Sequence, residues 1–335
     1  MSLEQLNIIN QLKNNTAYSH PAYSIKVLET HISWIFLTGP FTYKIKKEVK
    51  FGKVLDFSNL LLRKRYCQKE LMLNKLLCGN MYQSVVKVIQ EKGIFKFVEL
   101  NEKGEPFEYA VKMIEIPQKF RMDNLVKSGH VNKRTIKSLT DILIKFHNSS
   151  PTNNKISKYA LPMVMKKKFN ENFETLSQVG KIDPMVEYKM NSFLEKNNNL
   201  FLQRIRESKI RDIHGDLYLK NIFAIGDRFY LYDRIEFNDS LRYADVTEDV
   251  AHLAMDLDLH RRIDLAKYFI NDYIQKSNDE NMIKLVYFMM CFKACVRAKV
   301  SFFRAQEVDN KKKKIIHVEE AKKHLRFAKK YIKLF

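Results

Sequence analysis

The chain has 335 residues, 45% of them apolar, which suits one large enzyme unit or two lobes that share a cleft and argues against disorder. Lys and Arg number 59 against 38 acidic residues, a formal charge of +21. That surplus favours nucleotides, phosphorylated metabolites, nucleic acid or acidic headgroups without choosing among them, and a biased genome composition produces the same excess. Cys67, Cys78, Cys291 and Cys295 form neither a metal-type CxxC pair nor a dense framework. No stretch has the make-up of a signal peptide or of a membrane span, so a soluble, cytoplasmic protein is expected.

In chain order, Glu29 to Val54 reads as strand and hairpin: ISWIFL, a turn at Thr38-Gly39-Pro40, then TYKIK. Alternation puts Tyr43 and Ile45 on one face and Lys44 and Lys46 on the other. A helix is predicted from about Ser58 to Leu77, with Asp56 or Ser58 as its cap. Strands follow at 84–88, 94–100 and 109–114. This is an α+β lobe with one inserted helix, and Pro117 ends its last strand.

Helical periodicity then takes over, at 135–147, 163–176 and 184–206. Short strand-like pieces flank a Gly226-Asp227 turn that predicts a hairpin, and long helices resume from about Asp245. The expected division is a lobe at 1–115, a hinge near 112–120 and a mainly helical lobe at 116–335.

The chemistry concentrates between His214 and Asp233. His214-Gly215-Asp216 is followed five residues after the Asp by Asn221, and Asp233 lies beyond one hairpin. That order and spacing match a kinase catalytic loop, in which the Asp orients the acceptor hydroxyl and the Asn amide oxygen binds metal. A second Asp after the hairpin supplies a metal carboxylate. Arg242 and Asp245 read as a structural ion pair or helix cap, and His252 as a packed histidine on an apolar helix. Cys291 and Cys295, one turn apart, read as core.

HGDLYLKN followed by DRIEFNDSLRYADVTEDVAHLAMDL resembles the aminoglycoside phosphotransferase superfamily, and within it the aminoglycoside phosphotransferase-like proteins of bacteria. FLTGPFTYKIKKEVKFGKVLDFS, RYCQKELMLNKLL, EYAVKMIEIPQ, IKFH, ENFETL and VRAKV resemble that group's segments in its order. The resemblance implies a bilobal protein-kinase-like fold and a phosphotransferase that uses Mg2+ and ATP or GTP on a small-molecule hydroxyl.

By residue, it implies Asp216 as the catalytic carboxylate, His214 as the brace of its loop, and Asn221 and Asp233 as metal ligands. Lys44 would grip phosphates with Glu70 as partner, and Lys46 shares its strand face. The segment around Met113 and Glu115 would form the adenine-side hinge, and Gly39 would cover the phosphates in place of a Gly-rich loop.

The family's usual pattern has His where this chain has Tyr218, and a small or apolar residue where it has Arg234. With Glu236 these mark the substrate side. No GxxxxGK[ST] occurs, so the second activity of relatives that carry a P-loop domain is not expected. The expected partner is a small molecule, with an anionic one compatible with the surplus positive charge, nucleic acid less favoured and no membrane expected. Two alternatives share the same residues: a silent kinase-like module that binds nucleotide or RNA, and a nucleotidyl transferase.

Overall fold

The computed structural model describes residues 2–52, 54–180 and 182–335, which divide into two compact units. The first comprises Met1–Phe120 and Ile222–Asp239, the second Arg121–Asn221 and Ser240–Phe335. The hairpin that carries Asp233 therefore packs with the strand-rich unit although it follows the helical segment in sequence.

The chain opens with helix α1 (Leu3–Gln11), which the sequence reading passed over. Ser2 caps it by accepting from Gln5 N. Strands β1 (Lys26–Glu29), β2 (Ser33–Leu37) and β3 (Phe41–Lys46) follow, then the short pair β4 (Lys50–Phe51) and β5 (Leu55–Asp56). Helix α2 (Leu60–Cys78) comes next, capped by Asn59 through a 2.8 Å bond from Leu62 N and not by Asp56 or Ser58. Strands β6 (Tyr82–Glu91), β7 (Ile94–Glu99) and β8 (Glu108–Ile114) complete an antiparallel sheet in the order β1-β2-β3-β8-β6-β7.

Alternation decides what each sheet face buries. Tyr43 and Ile45 join Ile8 and Ile9 of α1, Leu12 just after it, and Phe36, Val88 and Phe97 in one apolar cluster. On the other face Tyr82, Val85, Tyr109, Val111 and Met113 pack with Cys67 and Cys78 of α2. Lys44 and Lys46 are on that second face too, and both are buried.

The second unit begins with α3 (Met122–Lys127) and α4 (Lys133–Ser149), the latter opened by a capping box of Asn132 and Thr135. It continues through α5 (Asn154–Ser157), α6 (Pro162–Val179), α7 (Pro184–Lys196), α8 (Asn198–Arg206) and β9 (Ile210–Asp212). The chain then returns to the first unit as the hairpin β10 (Ile222–Ile225) and β11 (Arg228–Leu231), where Phe223, Tyr230 and Tyr232 join the α2-side cluster.

Back in the second unit, β12 (Tyr243–Asp245) pairs antiparallel with β9. Helices α9 (Thr247–Leu259), α10 (Ile263–Ser277), α11 (Ile283–Glu307) and α12 (Lys311–Tyr331) follow. Every residue of α9 is buried, which makes it the centre of this unit. Cys291 and Cys295 are buried free thiols, as the apolar pattern of α11 implies. Among the described residues no helix is long and apolar enough to cross a membrane.

Candidate functional site

The chemistry-bearing residues of the first unit centre on Glu70. Lys44 and Lys46, two apart on β3, reach the same carboxylate: Lys44 Nζ lies 2.8 Å from Glu70 Oε1 and Lys46 Nζ 2.7 Å from Oε2. Lys44 also lies 2.6 Å from Asp233 Oδ1, and Lys46 pairs with Glu236. The two lysines differ in surroundings. Lys46 is sealed, 4.9 Å over the Phe57 ring, whereas the Asp233 side chain beside Lys44 is 43% exposed.

Burial would raise the pKa of Glu70, but the two ammonium groups hold it below the ordinary carboxylate range. For Glu236 burial, helped by the negative Glu70, outweighs the attraction of Lys46 and Lys44 and pushes its pKa up. Lys44 stays charged because Asp233 and Glu70 outweigh its desolvation.

Helix α2 also fixes the backbone of the Asp233 turn. Arg234 N donates to Asn74 Oδ1 at 2.9 Å, and Asn74 Nδ2 donates to Glu70 O at 2.9 Å. Asp233 N donates to the Tyr82 hydroxyl at 3.3 Å. Asp233 itself has φ 63°, a left-handed conformation that Asp tolerates better than most residues and that aims its carboxylate at Lys44.

In the second unit the loop after β9 hangs on α9. His214 N and Gly215 N donate to the two oxygens of Asp249 at 2.8 and 2.9 Å. Leu219 N donates to Asp256 Oδ2 at 2.9 Å. Asp249, His252 and Asp256 recur at three and four residues, so one face of the helix addresses the loop. His147 lies with Nε2 3.2 Å from Asp249 and Nδ1 2.7 Å from the Tyr273 hydroxyl, which orients the gripping carboxylate.

Gly215 takes φ 88°, a turn that a side chain would strain, and its carbonyl accepts from Lys293 Nζ at 3.3 Å. Asp216 emerges from this turn with its side chain 34% exposed. His214 is buried, and its Nδ1 faces Asp216 N at 3.4 Å, so the bracing expected of it is backbone support. Asn221 donates through Nδ2 to Asp216 O at 3.0 Å and to Asp216 Oδ2 at 3.3 Å, which keeps its amide oxygen as the outward acceptor.

His252 is buried with its ring stacked on Tyr218, centroids 5.3 Å apart, and with Nδ1 3.7 Å from Asp216 Oδ1. Burial and the nearby cations Lys293 and Arg297 push its pKa well below 6.5. A neutral buried histidine must charge on unfolding in acid, so the unfolded chain binds more protons and stability falls as the pH drops below about 6.5. His324, lowered to about 4 chiefly by burial, acts in the same direction. Urea midpoints between pH 7 and 5 should therefore fall, and His252→Gln should flatten the dependence by up to about 1.4 kcal/mol per pH unit. An unchanged slope would show that His252 takes up its proton in the fold as readily as in the unfolded chain.

The grip of Asp249 gives another expectation. Asp249→Asn keeps one acceptor oxygen but loses the charge and the second acceptor. It should cost about 1–3 kcal/mol in urea unfolding and lower activity through the displaced loop. A wild-type midpoint would remove Asp249 from the account.

Several sequence expectations meet the structure differently. Arg242 and Asp245 do not pair with each other: Arg242 binds Asp212, and Asp245 binds Arg204 at 2.7 Å. Asp245 does act as a cap, accepting from Thr247 N at 2.8 Å. The Gly39 turn closes the hinge end of the hairpin, five residues and about 16 Å of strand from Lys44. Its amides are engaged, Thr38 N and Gly39 N donating to Glu115 Oε2 at 2.8 and 2.9 Å, so that turn is not the phosphate cover.

Glu115 N donates to Pro40 O at 3.2 Å, and Met113 is buried in the sheet between Thr42 and Tyr82. Arg234 and Glu236 are buried in the first unit, and Tyr218 is in the second. The residues that sequence reasoning missed are Asp249 and Asp256. Their signal was two carboxylates seven residues apart on one face of a helix that also carries Glu248 and Asp258, so it did not single them out.

No family model matches the chain. Uncharacterised proteins of Mycobacterium tuberculosis and Mycobacterium bovis are 30% identical to it over 300 residues, covering 87% of this chain. The chain spans 58% of the length of those relatives. Among solved structures, choline kinase from Cryptosporidium parvum aligns with TM-score 0.53 and 12% identity, over 98% of this chain and 95% of that one. The GDP complex of aminoglycoside 2'-phosphotransferase-IIIa aligns with TM-score 0.50 and 14% identity, over 96% and 98%. With a strand-rich unit holding one helix between β3 and β6, and a helical unit holding the Asp216 loop, the chain has the protein-kinase-like fold found in aminoglycoside phosphotransferases and choline kinases.

Proposed function

We propose that the protein is a magnesium- and nucleotide-dependent phosphotransferase that acts on a hydroxyl of a small molecule. The observation that carries this reading is Lys44, whose ammonium lies between Glu70 at 2.8 Å and the half-exposed carboxylate of Asp233 at 2.6 Å. In kinase-like enzymes a strand lysine held by a helix glutamate grips the α- and β-phosphates. Lys44 fills that part, and Lys46, sealed between Glu70 and Glu236, supports it structurally. The solved neighbours, one of them a GDP complex, favour a nucleotide as the phosphoryl donor.

The donor set suits magnesium. Asp233 and Asn221 offer hard oxygen ligands, and among the described residues no cluster of three His, Cys, Asp or Glu forms a self-contained metal site. Magnesium bound with a nucleotide would keep phosphate oxygens and water among its ligands, so it would need few from the protein. When bound, the ion neutralises charge on the phosphates.

Asp216 then accepts the proton of the acceptor hydroxyl as its oxygen bonds to the γ-phosphorus and the bond to the bridging β–γ oxygen breaks, releasing the nucleoside diphosphate. The Asp249 grip on His214 and Gly215 holds Asp216 in place for that step.

Calorimetry of nucleotide binding tests the assignment. Wild-type protein should bind ATP with magnesium at least about tenfold more tightly than ATP without it, and Asp233→Ala should erase that difference. Asp233→Ala binding Mg·ATP as well as wild type would overturn the role given to Asp233.

A further inference from the structure

Helix α11 turns three cations, Lys293, Arg297 and Arg304, towards one side. They are spaced by four and seven residues, which at 100° per residue places them within about 40° of one another. Lys293 is occupied by Glu248 at 2.9 Å and by Gly215 O at 3.3 Å. Arg297 is different. Its guanidinium carbon lies 4.5 Å over the Tyr218 ring, and among the described residues it makes no ion pair with a carboxylate.

The contacts run in sequence from Arg297 to Tyr218, from Tyr218 to the stacked ring of His252, and from His252 to Asp216 at 3.7 Å. Arg297, a half-buried residue, is thus fixed with its guanidinium beside the loop that carries the catalytic carboxylate.

The charged groups around Arg297 can be counted. Burial opposes its charge, while Tyr218, Asp216, Asp256 and Glu320 favour it. Asp256 is committed to Leu219 N and His260, and Glu320 to His317. Arg304 and Lys220 both feel repulsion from Arg297, which adds positive field on the same side. A cationic acceptor would meet repulsion here, and an anion would find a guanidinium already immobilised on an aromatic ring.

Resting on the phosphotransferase reading, we propose that Arg297, held over Tyr218, anchors an acceptor subsite for an alcohol that also bears an anionic group, a phosphate or a carboxylate. Tyr218 and Arg297 act together: the ring fixes the plane of the guanidinium, and the guanidinium presents a bidentate fork to the anion.

The test uses four probes of similar size, glycerol, ethanolamine, glycerate and glycerol 3-phosphate. Each is titrated calorimetrically into the full chain with Mg·AMP-PNP present, so that the nucleotide's own phosphate sites are filled. At least one anionic probe should bind about tenfold or more tightly than glycerol, with the carboxylate and phosphate arms showing which anion is preferred.

Arg297→Gln should remove that preference, and Arg297→Lys should keep part of it, while the affinity for Mg·AMP-PNP stays within about twofold. The proposal is overturned if neither anionic probe outbinds glycerol, if ethanolamine binds best, or if Arg297→Gln keeps the preference. Failure of Mg·AMP-PNP to bind, with an Arg297-dependent anion preference intact, would count against the phosphotransferase reading and leave the subsite standing.

Discussion

Asp216→Asn should lower the rate of phosphoryl transfer by about 10²–10⁴-fold, the range for loss of a positioned general base, while the dissociation constant for Mg·ATP stays within about twofold. The separation follows from geometry. Asp216 sits on the loop gripped by Asp249 and touches Asn221, all in the second unit, whereas the part that grips the phosphates is given to Lys44 with Glu70 and Asp233 in the first. The amide is isosteric, so Asn221 Nδ2 keeps an acceptor and the fold should hold. Single-turnover kinetics beside nucleotide titration reads both quantities. A parallel loss of nucleotide affinity would place Asp216 on the phosphates, against the role assigned to it.

The second large effect is on stability. Lys46→Met should destabilise the protein by about 3–5 kcal/mol, because it leaves Glu236 buried beside Glu70 without its own cation. Burial already raises the pKa of Glu236 above its ordinary 4.5, and loss of Lys46 raises it further.

The sign of the pH dependence follows. A carboxylate whose folded pKa exceeds its unfolded value holds extra protons in the fold, so the loss should be largest at alkaline pH and shrink as the pH falls towards neutrality and below. Adding Glu236→Gln should recover part of it by removing the unpaired charge. Urea unfolding at two pH values decides the matter. A cost below about 1 kcal/mol, or one that grows in acid, would contradict the network as described.

What the sequence made legible was local. Alternation along TYKIK put Lys44 and Lys46 on one face, and the family resemblance supplied Glu70 on the following helix as a partner, which the structure places between the two lysines. The hairpin between Asn221 and Asp233 was readable from its Gly-Asp turn. What stayed hidden depends on partners far apart in the chain.

Arg242 and Asp245, three residues apart on and beside β12, looked like a pair. The strand sends them to Asp212 and to Arg204, 30 and 41 residues away. Asp249 serves a loop 34 residues upstream, and nothing in DVAHLAMDLDL says which backbone amides its carboxylate will meet. Gly39 was expected as the phosphate cover because the chain has no Gly-rich loop and the family resemblance implied that a short hairpin would serve instead. Strand register instead puts its turn at the hinge end, with Glu115 on its amides. Helix α1 went unread because its stripe of Ile8, Ile9 and Leu12 is short, and it earns its stability by covering the sheet.

The central claim is the transfer of a terminal phosphoryl group to a small-molecule hydroxyl. It is tested most directly by incubating the protein with magnesium, a cell metabolite extract and ATP labelled at either the γ- or the α-phosphate, with Asp216→Asn as control. The account predicts a labelled small-molecule product from γ-labelled ATP only, reduced by at least about 10²-fold in the variant. Label transferred from the α-phosphate would make the protein a nucleotidyl transferase, and no transfer from either label would make it a silent nucleotide-binding module. Either result would contradict the account.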